Sequence, residues 1–117
     1  MDTHLKAHLY DISVAVEEIQ SFFQQVPLRF DESCKNLMLR RAVERNIGII
    51  GEAVNKIIKE SPEVEISNVR AIIATRNRVI HDYAAVTDDV MWKIVVKDLP
   101  KLKTEVDKLL SEWTVAQ

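Results

Sequence analysis

The chain has 117 residues, of which 47% are hydrophobic and 29% are charged, and its formal net charge is −2. This length and composition predict one globular domain, residues 1–117, and exclude a disordered chain. The net charge excludes general coating of nucleic acid, so any RNA contact has to come from a local cluster of cations. The single cysteine, Cys34, excludes an internal disulfide and a multi-cysteine zinc site, which favours a reducing, cytoplasmic location.

Only two glycines and three prolines interrupt the chain, which favours a few long helices. No apolar run approaches the roughly 18 residues of a membrane span, and the N-terminus lacks a signal-peptide pattern. We therefore expect no membrane contact.

The first predicted helix has a single apolar stripe in which residues recur at helical spacing. Asp2 or Thr3 is placed to cap its start, and Pro27 lies just past its end. The stripe consists of Leu5, Leu9, Ile12, Val16, Ile19, Phe23 and Val26.

The second predicted helix begins near Asp31 or Ser33 and runs to about Lys59. It contains Gly48 and Gly51, each of which weakens a helix by about 1 kcal/mol. We expect these glycines to permit the close approach of another backbone. The apolar face of this helix consists of Leu37, Met38, Ala42, Val43, Ile47, Ile50, Val54, Ile57 and Ile58.

Two more helices are predicted after the polar connection that starts at Ser61 and Pro62. Ser67 is expected to cap the third helix, and Thr87, followed by two acidic residues, is expected to cap the last. Pro100 either kinks the last helix, whose apolar stripe resumes in register, or follows a new start capped by Asp98. The chain carries no strand signals. Four or five helices with short links predict an all-α, antiparallel up-down bundle.

A dense polar cluster ends the third predicted helix. Asn77 and His81 are four residues apart, so the amide is within reach of the imidazole and is expected to orient it. Arg78 and Asp82 form a second pair at the same spacing. The whole cluster consists of Arg76, Asn77, Arg78, His81, Asp82 and Tyr83.

Arg76 and His81 are five residues apart, which places them roughly 140° from each other around a regular helix. One helix does not bring them together on a single phosphate. A two-fold pairing of this helix with its copy would set Arg76 of one protomer near His81 of its partner. The spacing therefore predicts a homodimer with a composite cleft.

Such a cleft suits cleavage of RNA by its own 2′-hydroxyl. The imidazole of His81 ionises near neutrality and is able to take or give the proton. The guanidinium of Arg76 stays charged and offers donors to the phosphoryl oxygens as negative charge builds. This scheme requires no metal and no other cofactor. Tyr83 is placed to contact a base or a phosphate.

These residues also carry a family resemblance. The run from Arg76 through His81 to Tyr83 resembles the Arg-x4-His-x-Tyr motif of HEPN-domain toxins of the HepT type. Two departures stand out, since Asp82 replaces a small residue that is often glycine, and a Pro-Trp pair is absent before the third helix. Other matching segments are Gly51-Glu52-Ala53, Val90-Met91-Trp92 and Leu99-Pro100-x-Leu102.

The resemblance implies a homodimeric helical bundle that acts as a metal-independent RNA endonuclease on mRNA or tRNA, with Arg76 and His81 as the catalytic pair. It also implies a separately encoded antitoxin, a minimal nucleotidyltransferase that neutralises the toxin by adding AMP to Tyr83. DNA is not an expected partner. Asn77, Glu52 and Arg78 are expected to support the site.

Other interpretations stay open at this point. The motif cations also suit the end of a helix dipole, and Tyr83 also fits a half-buried edge position. Glu52 faces inward or toward a partner, or pairs with an arginine such as Arg76. His4 and His8 share a helix face but lack a third metal ligand. The cations Lys35, Arg40, Arg41 and Arg45 form either a solvated face or, with Arg70, Arg76 and Arg78, a basic rim.

A different class of function is a non-catalytic HEPN interaction module that binds a nucleotidyltransferase or a nucleotide and cuts nothing. The intact pair of Arg76 and His81 distinguishes the two interpretations and favours the enzyme, because a scaffold has no use for that pair.

Overall fold

The structure is a computed structural model that describes residues 3–25, 36–81 and 88–116; within these ranges the side chains of residues 25, 78–81, 88 and 113–116 are outside the described set. The described residues form helices and contain no strand, which confirms the all-α prediction. None of these helices is long and apolar enough to cross a membrane. The elements are α1 (Thr3–Gln25), α2 (Leu37–Glu60), α3 (Val69–His81), α4 (Asp88–Lys93), a π-helical turn (Ile94–Asp98) and α5 (Leu99–Ala116).

The packing order of the helices follows from their contacts. Helix α2 contacts both α1 and α3, and α1 also contacts α5. His8 near the start of α1 meets Glu60 at the end of α2 at 3.2 Å, so these two helices are antiparallel. The predicted α1 stripe forms one side of the core, with Leu9, Ile12 and Val16 fully buried. Val26, the last residue of that stripe, lies outside the described residues.

A polar cluster fixes the register between α1 and α5. Lys103 Nζ lies 3.1 Å from Glu17 Oε1 and 2.6 Å from Asp107 Oδ2, and Ser13 Oγ donates to Asp107 Oδ1 at 2.9 Å. Burial by itself lowers the pKa of Lys103, but its hydrogen bonds to Asp107 and Glu17 outweigh burial and raise that pKa. Burial by itself raises the pKa of Asp107, but hydrogen bonds from Lys103 and Ser13 hold it below its ordinary value of 3.8. Because position 13 meets 107 and position 17 meets 103, α1 and α5 are antiparallel.

Helix α2 begins later than the sequence predicted. The expected start near Asp31 or Ser33 is replaced by a start at Leu37, with Asn36 in an extended conformation just before it. Asn36 Oδ1 accepts a hydrogen bond of 3.0 Å from the backbone N–H of Leu39. A short amide side chain satisfies a free N–H of the first turn as well as serine or aspartate does, so Asn36 sets the boundary.

The start of α3 also differs from the prediction. Ser67 does not cap the helix, because its Oγ and its backbone N–H both donate to the carboxylate of Glu105, at 2.8 and 3.2 Å. The residue before the helix is Asn68, whose carbonyl accepts from the N–H of Ile72 at 3.0 Å. Asn68 has a φ of 59°, in the left-handed region that asparagine tolerates better than most residues.

The last helix continues through Pro100 by way of the π-helical turn. Proline has no N–H, so the carbonyl of Val96 has no donor at the position where an α-helix would supply one. The chain widens here, and the N–H of Leu99 donates to the carbonyl of Ile94, five residues back. The apolar stripe resumes in register, with Leu99, Leu102 and Val106 buried. The alternative, a separate helix capped by Asp98, is not what the structure has.

Candidate active site around Arg76

Helices α2 and α3 approach each other closely at Gly51. A Cβ atom at Gly51 would lie 2.3 Å from Cβ and 2.6 Å from Cγ of Arg76, distances at which real carbon atoms do not coexist. The expectation of close helix approach is therefore confirmed at Gly51. At Gly48 it is wrong within this chain, because a Cβ there would meet nothing within 4 Å. The absence of a side chain at Gly51 is what positions the stem of Arg76 against α2.

The guanidinium of Arg76 has an uneven set of contacts. Nη1 donates to Oδ1 of Asn77 at 3.0 Å, which fixes one side of the group. Nε is buried and has no hydrogen-bond partner among the described residues. A buried charged donor without a partner costs free energy, so this N–H is suited to meet an anionic oxygen that the chain itself does not supply. Asn77, expected to orient His81, is seen here as a contact of Arg76.

Glu52 does not pair with Arg76. Its side chain is 54% exposed, and its carboxylate lies 3.7 Å from Nζ of Lys56, one turn along α2. The expectation of a buried carboxylate paired with an arginine is wrong. The physical reason is the helix phase, since Gly51 faces α3 and the next residue is turned about 100° away from it.

Three of the predicted site residues cannot be placed as side chains. Arg78 and His81 belong to α3, where the backbone is α-helical through His81, but their side chains lie outside the described set. Tyr83 lies outside the described residues altogether, as does Asp82. Because the backbone is a regular α-helix from Arg76 to His81, the two positions lie roughly 140° apart around the helix axis. The contact between Asn77 and His81 stays a prediction.

The cations on α2 divide into two groups. Arg40 and Arg41 share Glu44, at 3.5 and 3.0 Å, as expected for a solvated, ion-paired face. Arg45 and, on α3, Arg70 are exposed and make no ion pair within the described part of the chain. Lys35 lies outside it. If a basic rim surrounds Arg76, Arg45 and Arg70 are better candidates for it than Arg40 and Arg41, which are paired with Glu44.

The histidines of α1 do not converge with further metal ligands. His8 lies 3.2 Å from Glu60, a contact that ties the start of α1 to the end of α2. Across residues 3–25, 36–81 and 88–116, no group of three His, Cys, Asp or Glu side chains is placed to hold a metal.

The sequence analysis missed one polar position near this site. Asp98, considered only as a helix cap, is 6% exposed and accepts a hydrogen bond of 3.0 Å from Nδ2 of Asn68. Thr75, next to Arg76 in the chain, is 3% exposed. Pro100 was the signal in the sequence that could have pointed to Asp98, because a proline inside a helical pattern disrupts the backbone hydrogen bonds of the turn before it.

The fold and the site together define a class of protein. Its members are small and helical, and they carry an arginine and a histidine on one helix, with the arginine packed against a glycine of a neighbouring helix. The family model described as "Ribonuclease HepT-like" matches residues 12–109. Because this match covers most of the chain, the protein belongs to the HepT-like ribonuclease family.

Relatives with similar chains carry ribonuclease names. A protein of Methanocaldococcus jannaschii named "Putative RNase" is 36% identical over 105 residues, covering 88% of this chain and 94% of that protein. A protein of Thermococcus cleftensis named "Probable ribonuclease HepT" is 33% identical over 108 residues, covering 89% of this chain and 94% of that protein. No solved structure matches the chain.

Proposed function

We propose that this protein is a toxin-type, metal-independent RNA endonuclease that works as a homodimer, with Arg76 and His81 as its catalytic residues. Residues 1–117 act as a single HEPN-like helical domain in this proposal. The family and the ribonuclease names of its relatives support an RNA substrate. The proposed RNA is mRNA or tRNA, as the resemblance to HepT-type toxins implies. The observation that carries the proposal is Arg76, whose stem is docked on Gly51 and whose Nε donor is buried without a partner among the described residues.

The geometry of α3 favours a site shared between two protomers. The stem of Arg76 is held against α2, and the helix is regular up to His81. The two positions therefore lie roughly 140° apart around the helix, so one chain does not present both on a single face. A two-fold axis beside α3 solves this, because Arg76 of one protomer then meets His81 of its partner, twice in each dimer.

In the proposed reaction, the 2′-oxygen of a ribose attacks the adjacent phosphorus, and the bond from phosphorus to the 5′-oxygen breaks. In each cleft, the imidazole of His81 removes the 2′-proton or protonates the leaving oxygen. The guanidinium of Arg76 binds the non-bridging oxygens, which become more negative in the transition state. The products are a 2′,3′-cyclic phosphate and a 5′-hydroxyl end, with all atoms drawn from the RNA.

The first test is cleavage of a mixed RNA pool by purified, unmodified protein in excess EDTA, with the RNA ends identified chemically. We expect cyclic-phosphate ends from the wild type and none from His81→Ala or Arg76→Ala. His4→Ala, the same substitution at an exposed histidine of α1, is the matched control and should cut normally. No cutting by a folded dimer whose intact mass excludes modification would instead favour the non-catalytic module.

The shared site is tested by mixing the two inactive variants. In an Arg76→Ala/His81→Ala heterodimer, one cleft regains both intact residues and the other loses both. After random exchange of subunits, half of the dimers carry one such cleft, so about one quarter of the wild-type rate should return. If both residues act from one chain, no heterodimer has a complete site and the mixture stays inactive.

The partner in this proposal is a minimal nucleotidyltransferase that adds AMP to Tyr83. It rests on the resemblance of the segment from Arg76 to Tyr83 to HepT-type toxins. A bulky phosphate ester two residues past His81 would place negative charge where the RNA phosphate has to bind. Tyr83→Phe should keep the fold and cleavage but escape neutralisation, with no gain in intact mass when the partner is co-expressed. An equal mass gain in that variant would exclude Tyr83 as the acceptor.

A further inference from the structure

A groove of about 210 Å³ lies beside the proposed site, between α3 and the segment formed by α4 and the π-helical turn. Ala71 and Ala74 form part of its α3 side, and these small side chains leave the space open. Val90 and Ile94 give it apolar walls on the opposite side. The remaining lining residues, Thr75, Lys93 and Asp98, are polar.

Asp98 lines this groove, and one of its carboxylate oxygens has no hydrogen bond among the described residues. The residue is 6% exposed, and Oδ1 accepts from Nδ2 of Asn68 at 3.0 Å. Oδ2 is buried and has no partner among the described residues. Buried polar atoms in folded proteins are nearly always paired, so this oxygen is suited to a donor that comes from outside the chain.

Asp98 is the last residue of the π-helical turn that precedes Pro100. It follows Ile94 by four residues and is buried like Ile94, at a position where an amphipathic helix carries an apolar side chain. Single π-helical turns occur often at functional sites, so this carboxylate is a candidate for binding a ligand.

The other polar groups define the ligand further. Oγ1 of Thr75 donates its hydrogen to the carbonyl of Ala71 at 2.8 Å, so it offers only lone pairs to the groove. The polar atoms in the buried part of the groove are therefore hydrogen-bond acceptors, so a ligand has to supply the donors. Lys93 is exposed at the rim and supplies a positive charge there. A ligand with a donor-rich flat edge and an attached phosphate matches this arrangement.

Among the four RNA bases, guanine alone has two adjacent donors, N1–H and the 2-amino group, on its pairing edge. Adenine and cytosine each present one amino group beside an acceptor nitrogen, and uracil presents one N–H between two carbonyls. Carboxylates accept hydrogen bonds from base amino groups in known complexes, and unstacked bases of single-stranded RNA are commonly read on this edge.

We propose that this groove is a guanine-binding subsite, with Asp98 accepting from the base and Lys93 meeting the phosphate. The inference rests on the proposed function, because it makes the groove a specificity site for the RNA that is cut. Thr75 and Arg76 are consecutive residues whose Cα atoms are about 3.8 Å apart. Because consecutive helix residues point about 100° apart, the groove opens on a different face of this turn of α3 from the one on which Arg76 meets α2.

The direct test is titration of the protein with guanosine 5′-monophosphate, followed by amide chemical shifts and by calorimetry. We expect shifts at the groove residues and binding weakened about tenfold or more in Asp98→Asn, the size of one specific base contact. The amide introduced by this substitution keeps an oxygen for Asn68, so α3 should stay anchored, which circular dichroism checks. Inosine 5′-monophosphate, which lacks the 2-amino group, should bind less tightly than the guanosine nucleotide.

Lys93→Gln gives a second test that does not depend on the buried carboxylate. This exposed change should weaken guanosine 5′-monophosphate but leave the binding of guanosine, which has no phosphate, unchanged. No nucleotide-induced shift in the groove, meaning a groove filled only by water, would overturn the proposal. Equal binding of guanosine 5′-monophosphate by Asp98→Asn and wild type would overturn it too.

Cleavage provides a separate readout. Sequencing of the RNA ends should find guanine enriched at one position beside the cut with the wild type, and this enrichment should fall in Asp98→Asn. If the protein cuts no RNA, the proposed function fails while the nucleotide titration still decides the groove. If it cuts RNA without binding guanosine 5′-monophosphate in the groove, the subsite alone is refuted.

Discussion

Replacing Gly51 with alanine should disturb the proposed site from the opposite helix without substituting any catalytic residue. The new methyl group would stand 2.3 Å from Cβ and 2.6 Å from Cγ of Arg76. Cβ is fixed by the backbone of α3, so a change of rotamer moves Cγ but leaves the clash with Cβ in place. Either α3 shifts away from α2 or the stem of Arg76 is displaced.

The size of the effect follows from two opposing contributions. Alanine in place of glycine stabilises a helix interior by about 1 kcal/mol. Overpacking by one methyl group costs about 1–3 kcal/mol. Gly48→Ala is the matched control, because its Cβ meets nothing within 4 Å and only the first contribution applies. Gly51→Ala should therefore be about 1–3 kcal/mol less stable than Gly48→Ala.

Urea unfolding of both variants and the wild type measures this difference, at one protein concentration because the stability of a dimer depends on concentration. RNA cleavage should fall as well, by about 100-fold if Arg76 moves by about 1 Å. Equal stability of the two variants, together with full cleavage by Gly51→Ala, would show that the glycine does not position the arginine.

Three further outcomes follow from the described contacts. The wild type should be more stable than Asp107→Asn by its full margin well above pH 3.8, and this margin should shrink as the pH falls below 3.8, because the folded-state pKa of Asp107 is lowered. Unfolding curves at pH 7 and pH 3 check this, and a pH-independent difference would contradict it. Glu52→Gln should change stability by less than about 0.5 kcal/mol in thermal unfolding, since its pair with Lys56 is exposed; a larger loss would mean that Glu52 has a buried partner. Asn68→Ala should be about 1 kcal/mol less stable than Asn68→Gly, because both lose the bond to Asp98 but only alanine is strained at a φ of 59°; equal stability would argue against a left-handed residue.

The sequence predicted some helix boundaries well and others poorly, for a common reason. The apolar stripe of α1 recurs over nearly its whole length, so the helix from Thr3 to Gln25 follows from periodicity. The ends of α2 and α3 depend on which polar residue satisfies the first free N–H groups. Asp31 and Ser33 suit the N-cap position of α2 as well as Asn36 does, and the chain alone does not rank them. Ser67 also suits that position before α3, but its hydroxyl donates to Glu105 instead.

The site shows the same division. The sequence singled out Arg76, His81 and Tyr83 by residue type and spacing, and it singled out Gly51 as a point of close approach. It did not show that Gly51 faces Arg76 while Gly48 faces open space, because both glycines interrupt the same helix in the same way. It also left Glu52 open between facing inward, facing a partner and pairing with an arginine, whereas the phase of α2 turns this residue outward to Lys56.

What the sequence by itself determined is the class of fold and the chemistry available to it: helical periodicity sets the elements, and arginine and histidine at fixed spacing on one helix set the reaction that suits them. Only the tertiary structure decided which groups are neighbours. The contact of Gly51 with Arg76, and the unpartnered oxygen of Asp98 in its groove, depend on the rotation of each helix about its axis. That rotation is fixed by side-chain packing across the whole bundle, which no local pattern encodes.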